Sequence, residues 1–205
     1  MVQKEPARTR GRPRSFDADD VLKKARDCFW RHGYAATSLD DLAAATSLNR
    51  PSLYGAFGDK RALYLATLEQ TRAEMMSSLH RGLAVEGPLR EVLARIYGLS
   101  VKLYLSGDPD SRGCFLVGTA VTEAVAEPAV RALLTGAFAE MDAAFEARFR
   151  RSAAELPPAV DPGAHAKLAT AMLHTLSVRA RGGAGEAELK AIAASAVDML
   201  CGPPK

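Results

Sequence analysis

The chain has 205 residues, 48% of them hydrophobic and 6% aromatic, with 27 basic against 24 acidic side chains and a formal charge of +3. That length carries one large or two small domains with a buried core, and a charge so near balance does not by itself mark a nucleic-acid binder. No apolar run reaches the roughly 18 residues of a membrane-spanning helix, and no apolar stretch follows the basic N-terminus as a secretory signal requires, so a cytoplasmic protein is expected. Cys28, Cys114 and Cys201 are an odd number without CxxC spacing, which speaks against a disulfide framework and a zinc site. His32, His80, His165 and His174 form no ligand cluster, and no cofactor is expected.

The charge is unevenly placed. Residues 1–14 hold Lys4, Arg8, Arg10, Arg12 and Arg14 against Glu5, and the remaining chain is close to neutral. A basic arm rich in Thr, Gly and Pro does not fold alone. It can follow phosphates or enter a minor groove, where arginine is favoured; a solubilising tail is the alternative.

A first helix opens at Asp17 or a neighbour, buries Val21, Leu22, Ala25, Cys28, Phe29 and Trp30, and ends at His32-Gly33. Ser38 and Asp41 have the spacing of a capping box, with Asp in place of the usual Glu or Gln. Leu39, Leu42 and Ala43 then give the second helix one buried face, and Thr46-Ser47 breaks it. Asn49 caps a third helix with Pro51 in its first turn. Leu53, Phe57 and the ring of Tyr54 are expected inward, with Asn49, Arg50 and Ser52 on the outer N-terminal side. A second helix with polar and basic groups at an exposed N-terminus is the arrangement that reads base edges in a major groove. Asp40-Asp41 invites a reading as a catalytic carboxylate pair, but capping accounts for both. GxSxG, SxxK, HExxH and a phosphate-binding glycine loop are all missing, so an enzyme is not expected.

A fourth helix runs from near Asp59 to about Arg81 with Leu63, Leu68, Met75 and Leu79 buried. Gly87-Pro88 precedes a fifth, Leu89 to Ser106. After a loop at Gly107-Asp108-Pro109-Asp110 comes a short apolar helix, Cys114 to Ala126. Pro128 opens another to about Ala154, stopped by Leu156-Pro157-Pro158. His165 to Arg181 and Glu186 to Leu200 form a last pair. No strand pattern of useful length and no internal repeat interrupts this all-α reading.

The segments GRPRSF (11–16), FWRHGYAATSLDDLA (29–43) and RPSLYGAFGDK (50–60), agreeing in order and separation, resemble the DNA-binding domain of the TetR family of bacterial transcription regulators. The resemblance covers about Arg10 to Leu68. One departure is Ser47, which stands where that family usually has glycine in the inter-helix turn. The resemblance implies a flexible arm at 1–14, a three-helix helix-turn-helix domain at 15–64 and a helical ligand-binding and dimerisation domain at 65–205. Arg12, Arg14, Ser38, Asn49, Arg50, Ser52, Tyr54 and Lys60 are then the expected DNA contacts, with Tyr54 and Lys60 on phosphates. Tyr97, Tyr104, Phe115, Phe138, Met141 and His174 are candidates to line an effector cavity, each with plain core packing as its alternative. The small residues of the last two helices permit close approach, and Leu168, Met172, Leu176, Ile192, Val197 and Leu200 are the expected seam between two chains.

The expected function is therefore a dimeric, ligand-responsive regulator, a repressor, that binds a palindromic DNA operator and is released by a small-molecule effector, with no membrane partner. A second possibility is a covalent switch at Cys114, whose thiolate a helix start and Arg112 would favour. Some TetR-like regulators with a similar GC-aliphatic segment work that way. The more remote alternative is an all-α interaction module or enzyme that does not bind DNA.

Overall fold

Asp17 opens α1 (Ala18–His32) by accepting the amide of Asp19. Acidic Asp19 and Asp20 in its first turn, and basic Arg31 and His32 in its last, both suit the helix dipole. The computed structural model describes residues 16–107, 113–158 and 160–202. The arm with Arg12 and Arg14, and Arg112 beside Cys114, lie outside the described residues.

The capping box of α2 (Leu39–Thr46) is complete: Ser38 Oγ accepts the Asp41 amide at 3.1 Å, and the Asp41 carboxylate accepts the Ser38 amide at 2.8 Å. Ser47 closes α2 at φ 58° and ψ 26°, the one non-glycine with positive φ among the described residues. Serine thus adopts the left-handed backbone that glycine would take. A Cβ there costs about 1–2 kcal/mol, while glycine's extra unfolded-chain freedom costs about 0.5–1 kcal/mol. Ser47→Gly is therefore expected to stabilise the protein by about 0.5–1 kcal/mol, read as a higher urea midpoint at unchanged slope.

Asn49 caps α3 (Arg50–Phe57) by accepting the Ser52 amide at 2.9 Å, and Asp59 caps α4 (Lys60–Ala84) through the Ala62 amide. The buried stripe of α4 takes Met76, and Met75 is only half-buried at its edge. This corrects the expected stripe by one residue: 68, 76, 79 and 83 share a face that position 75 borders. Next comes α5 (Leu89–Leu105). The apolar segment expected as one helix from Cys114 to Ala126 is instead a π-helical turn, Leu116–Ala120, running into the three-residue α6 (Val121–Glu123). The wider turn puts Phe115, Leu116, Thr119 and Ala120 all on the buried side. A long α7 (Pro128–Arg151), a 3-10 turn (Ala153–Glu155), α8 (Pro162–Arg181) and α9 (Glu186–Cys201) complete the chain.

Buried side chains gather in two clusters. One joins α1–α3, the first half of α4, the π turn and the start of α7. The other fills the space between α5, α8, α9, the end of α4 and the rest of α7. Met75 and Cys114 touch both. Polar bonds follow the same junction. Tyr64 on α4 donates to Thr119 Oγ1 at 2.9 Å, which donates to the Phe115 carbonyl at 2.9 Å. Ser177 on α8 accepts the Cys114 amide at 2.8 Å. Gly113, at φ 92°, lies so close to α8 that a Cβ would stand 2.8 Å from the Ser177 carbonyl, so a side chain cannot be placed there.

Candidate nucleic-acid interface

The α2–turn–α3 unit presents the first turn of α3 to solvent. Leu53 is buried beneath it and Phe57 packs half-buried against Phe16, which fixes the roll of the helix. Arg50 is exposed, Ser52 is half-exposed, and Asn49 is exposed but engaged in capping. Tyr54 is 46% exposed. Its ring therefore points out, which corrects the inward placement expected from spacing: Leu53 alone fills the inner position, and its neighbour is turned about 100° away.

Arg50 bonds to Asp40 of α2 through two parallel contacts, Nε to Oδ1 at 2.8 Å and Nη2 to Oδ2 at 2.5 Å. The pair raises the Arg50 pKa, chiefly by this hydrogen bond and then by the charge of Asp40. Ser38 is committed to its cap, its Oγ also donating to Asp41 at 2.6 Å. That bond and the Ser38 amide hold the Asp41 carboxyl below the usual carboxylate range. Lys60, first residue of α4, lies 4.5 Å above the ring of Tyr34 and reaches towards the Ala35 carbonyl at 3.5 Å. Arg50, Ser52, Tyr54 and Lys60 thus sit on α3 and at the N-terminus of α4. An open groove between α1 and α2, lined by Lys24, Asp27, Cys28, Arg31, His32 and Asp41, includes none of the expected contacts among the described residues.

In the C-terminal part, the expected effector residues do not form one lining. Phe115 belongs to the cluster beneath the helix-turn-helix, near Trp30 and Tyr64. Tyr97 is fully buried, donating to the Ala169 carbonyl at 3.2 Å, and burial pushes up the pKa of both Tyr97 and Tyr104. Phe138 and His174 are neighbours, their rings 4.3 Å apart, with Met141 buried on the same helix as Phe138. Burial lowers the His174 pKa against the opposing pull of Asp142, favouring the neutral ring. His174 Nε2 and Thr170 Oγ1, one turn earlier on α8, are buried polar atoms without a hydrogen-bond partner among the described residues. The spacing of polar residues on an apolar helix face was the signal for Thr170, and it was not singled out in the sequence.

Two further expectations change. Burial pushes the Cys114 thiol up, against the amides of Leu116 and Val117, which pull it down. The expected lowered pKa is not what this environment gives, because desolvation of a thiolate outweighs the helix-start donors. Burial raises Cys28 and Cys201 as well. In the expected seam, Leu176, Val197 and Leu200 are 0%, 3% and 1% exposed within one protomer. They are core residues of α8 and α9, in one buried cluster with α5, and not a surface awaiting a second chain. Leu168 is 46% exposed, and Met172 and Ile192 are half-buried. Val178 and Met199, which spacing did not single out, are 59% and 56% exposed on the same two helices.

A helix-turn-helix head on an all-α body defines a class, that of one-chain DNA-binding regulators with a separate helical domain. Residues 21–67 match the family model described as bacterial regulatory proteins, tetR family. The chain is 29% identical over 196 residues to the HTH-type transcriptional repressor ComR of Escherichia coli K12, covering 94% of this chain and 92% of that protein. It is 31% identical to the solved TetR family regulator CifR, in a cysteine variant complexed with 26-base-pair operator DNA. That likeness covers 93% of this chain and all of CifR, with a TM-score of 0.78. A TetR family regulator from Agrobacterium tumefaciens shares the fold at 21% identity and a TM-score of 0.79, over 90% of this chain and 97% of that one. The chain belongs to the TetR family of bacterial transcription regulators.

Proposed function

We propose that this protein is a dimeric, effector-released transcriptional repressor that works in the cytoplasm and carries no enzymatic activity. The observation that supports this reading best is the exposed first turn of α3, with Arg50 and Ser52 on a helix whose roll is fixed by Leu53. Arg50 and Ser52 read base edges, while Tyr54, Lys60 and the arm residues Arg12 and Arg14 hold phosphates; Ser38 and Asn49 shape the two helix starts. ComR and CifR, each matched along more than nine-tenths of this chain, bear regulator names, and CifR has been solved on operator DNA. The DNA-binding part is assigned to 15–64 and the effector and dimer part to 65–205. The seam between two copies is assigned to the outer face of α8 and α9, with Leu168, Met172, Val178, Ile192 and Met199. That face is apolar, and a two-fold pair of heads reads a palindrome.

The effector is assigned to the side of α7 and α8 that carries Phe138, Met141, Thr170 and His174. A small, largely apolar molecule with one hydrogen-bonding group suits two unpartnered polar atoms beside an aromatic ring. Movement there reaches the head through α4, which is tied to the body by Arg61–Glu127 and Arg72–Glu140 pairs and through Thr119. The effector must prefer the conformation that binds DNA less well. Reversible binding is favoured over cysteine chemistry because all three thiols are shifted away from the thiolate.

The test is fluorescence anisotropy on palindromes from DNA beside the encoding gene, over a range of salt. Lys60→Ala should weaken all sequences alike and lower the salt slope by about one. Arg50→Ala should relax preference at one base pair per half-site, by roughly ten-fold or more. Unchanged affinity in both variants would remove this assignment.

A further inference from the structure

The sequence holds two adjacent acids at the start of α2, and the structure gives them different tasks. Asp41 alone completes the capping box, accepting from both the amide and the hydroxyl of Ser38. Asp40, which capping was also expected to explain, takes no part in that cap. Its two carboxylate oxygens instead accept from Nε and Nη2 of Arg50, ten residues on and at the first position of α3. The side chains are 74% and 53% exposed, respectively. An ion pair so open to water contributes little to stability. A carboxylate on the face that approaches DNA also repels phosphates. Its place in the first turn of α2 suits the helix dipole, a small contribution at so exposed a site, but neither that nor general DNA affinity accounts for its bond to Arg50.

The geometry supplies a reason for that bond. A guanidinium has five N–H donors in a planar fork. Asp40 occupies the edge formed by Nε and one hydrogen of Nη2. The remaining edge, Nη1 with the second hydrogen of Nη2, is complete and faces away from the carboxylate. Two parallel donors on that edge match guanine O6 and N7. Fixing the plane at its base removes rotamer freedom that an unbraced arginine would lose on binding. The carboxylate also disfavours the competing pose, in which Arg50 swings to a phosphate.

We propose that Asp40 is a positioning residue that makes Arg50 a guanine reader and keeps it off the backbone, so that it sets sequence specificity while lowering non-specific affinity. This rests on the DNA-binding reading of α3. The partner is a G·C base pair in each half-site, with the guanine edge in the major groove.

The experiment selects binding sites from random double-stranded DNA with the full chain. The G·C position that depends on Arg50 is then found with Arg50→Ala. Affinities for the selected site, for the same site with that pair replaced, and for unrelated DNA are measured for wild type, Asp40→Ala, Asp40→Asn, Arg50→Ala and the double variant Asp40→Ala/Arg50→Ala. Asp40→Ala should lower discrimination at that pair by about ten-fold, raise affinity for unrelated DNA several-fold and steepen the salt slope by about one. Asp40→Asn, which keeps one acceptor but not the charge, should fall between. In the Arg50→Ala background the loss of Asp40 should no longer alter discrimination. Full discrimination in both Asp40 variants, or an equal effect with and without Arg50, overturns the proposal while leaving the DNA-binding reading intact. Selection of no sequence by the wild type overturns that reading and this inference with it.

Discussion

Leu176→Asp should leave almost no folded protein at 25 °C, whereas Leu168→Asp together with Met199→Asp should leave a folded monomer. Leu176 is fully buried among α5, α8 and α9. Removing its side chain alone costs about 2–5 kcal/mol, and a carboxylate in its place has no partner in an apolar site. Together the losses reach the roughly 5–15 kcal/mol that separates folded from unfolded states in most domains. Leu168 and Met199 stand 46% and 56% exposed, so charges there remain hydrated in the separate chain. In the proposed dimer the same charges would face their two-fold copies across an apolar seam. Circular dichroism measures the first variant and analytical ultracentrifugation the second. A folded Leu176→Asp would contradict the packing described for α8. A stable dimer in the exposed double variant would move the interface off this face.

Arg148→Ala should destabilise the protein by about 3–4 kcal/mol, the sum of lost charged hydrogen bonds and lost packing. Arg148 is 4% exposed on α7 and donates to the carbonyls of Val85 at 3.1 Å and Gly87 at 2.7 Å. Arg151, one turn on, donates to the Leu83 carbonyl at 2.9 Å. These are the carbonyls at and just beyond the C-terminus of α4, where the helix leaves its acceptors unpaired and its dipole is negative. Two arginines of α7 therefore hold the far end of the helix that carries the DNA-binding head. Arg148→Met keeps most of the buried stem and should lose about half as much. Urea unfolding followed by circular dichroism separates the two. Equal stability of wild type and Arg148→Ala would show that these bonds merely replace water. If α4 transmits the effector signal, Arg148→Met should also weaken the coupling between effector and operator at unchanged fold.

Local chemistry carried much of the architecture. Asp17, Ser38 with Asp41, Asn49 and Asp59 each cap the helix they precede, and Gly33 and Gly182 follow helix ends. Those assignments need only a side chain three residues or fewer from the amide it satisfies, so sequence spacing states them directly. The outer face of α3, with Arg50 and Ser52, followed from the same short-range logic. Position in the chain also revealed Ser47, where the backbone adopts the left-handed turn despite the side chain.

Other features depend on what lies across from a residue. Leu176, Val197 and Leu200 have the same spacing and hydrophobicity as an outer seam, because α8 and α9 carry apolar residues on more than one face. Only the packing of α5 against them shows which face is already covered. The π turn at Leu116–Ala120 arises where Gly113 is pressed on α8 and Thr119 is held by Tyr64, contacts between residues 55 or more apart. Desolvation of Cys114 is likewise set by distant neighbours, and it reverses the shift that a helix start alone would give. The Asp40–Arg50 pair joins two helices whose relative angle no local pattern encodes. By itself the sequence determined most helices, their caps and the exposure of Arg50 and Ser52 at the start of α3, since these are settled within a turn or two. The tertiary structure alone decided which apolar faces are interior and which thiols are desolvated, properties of surfaces brought together from far along the chain, and it set the angle between α2 and α3 that pairs Arg50 with Asp40.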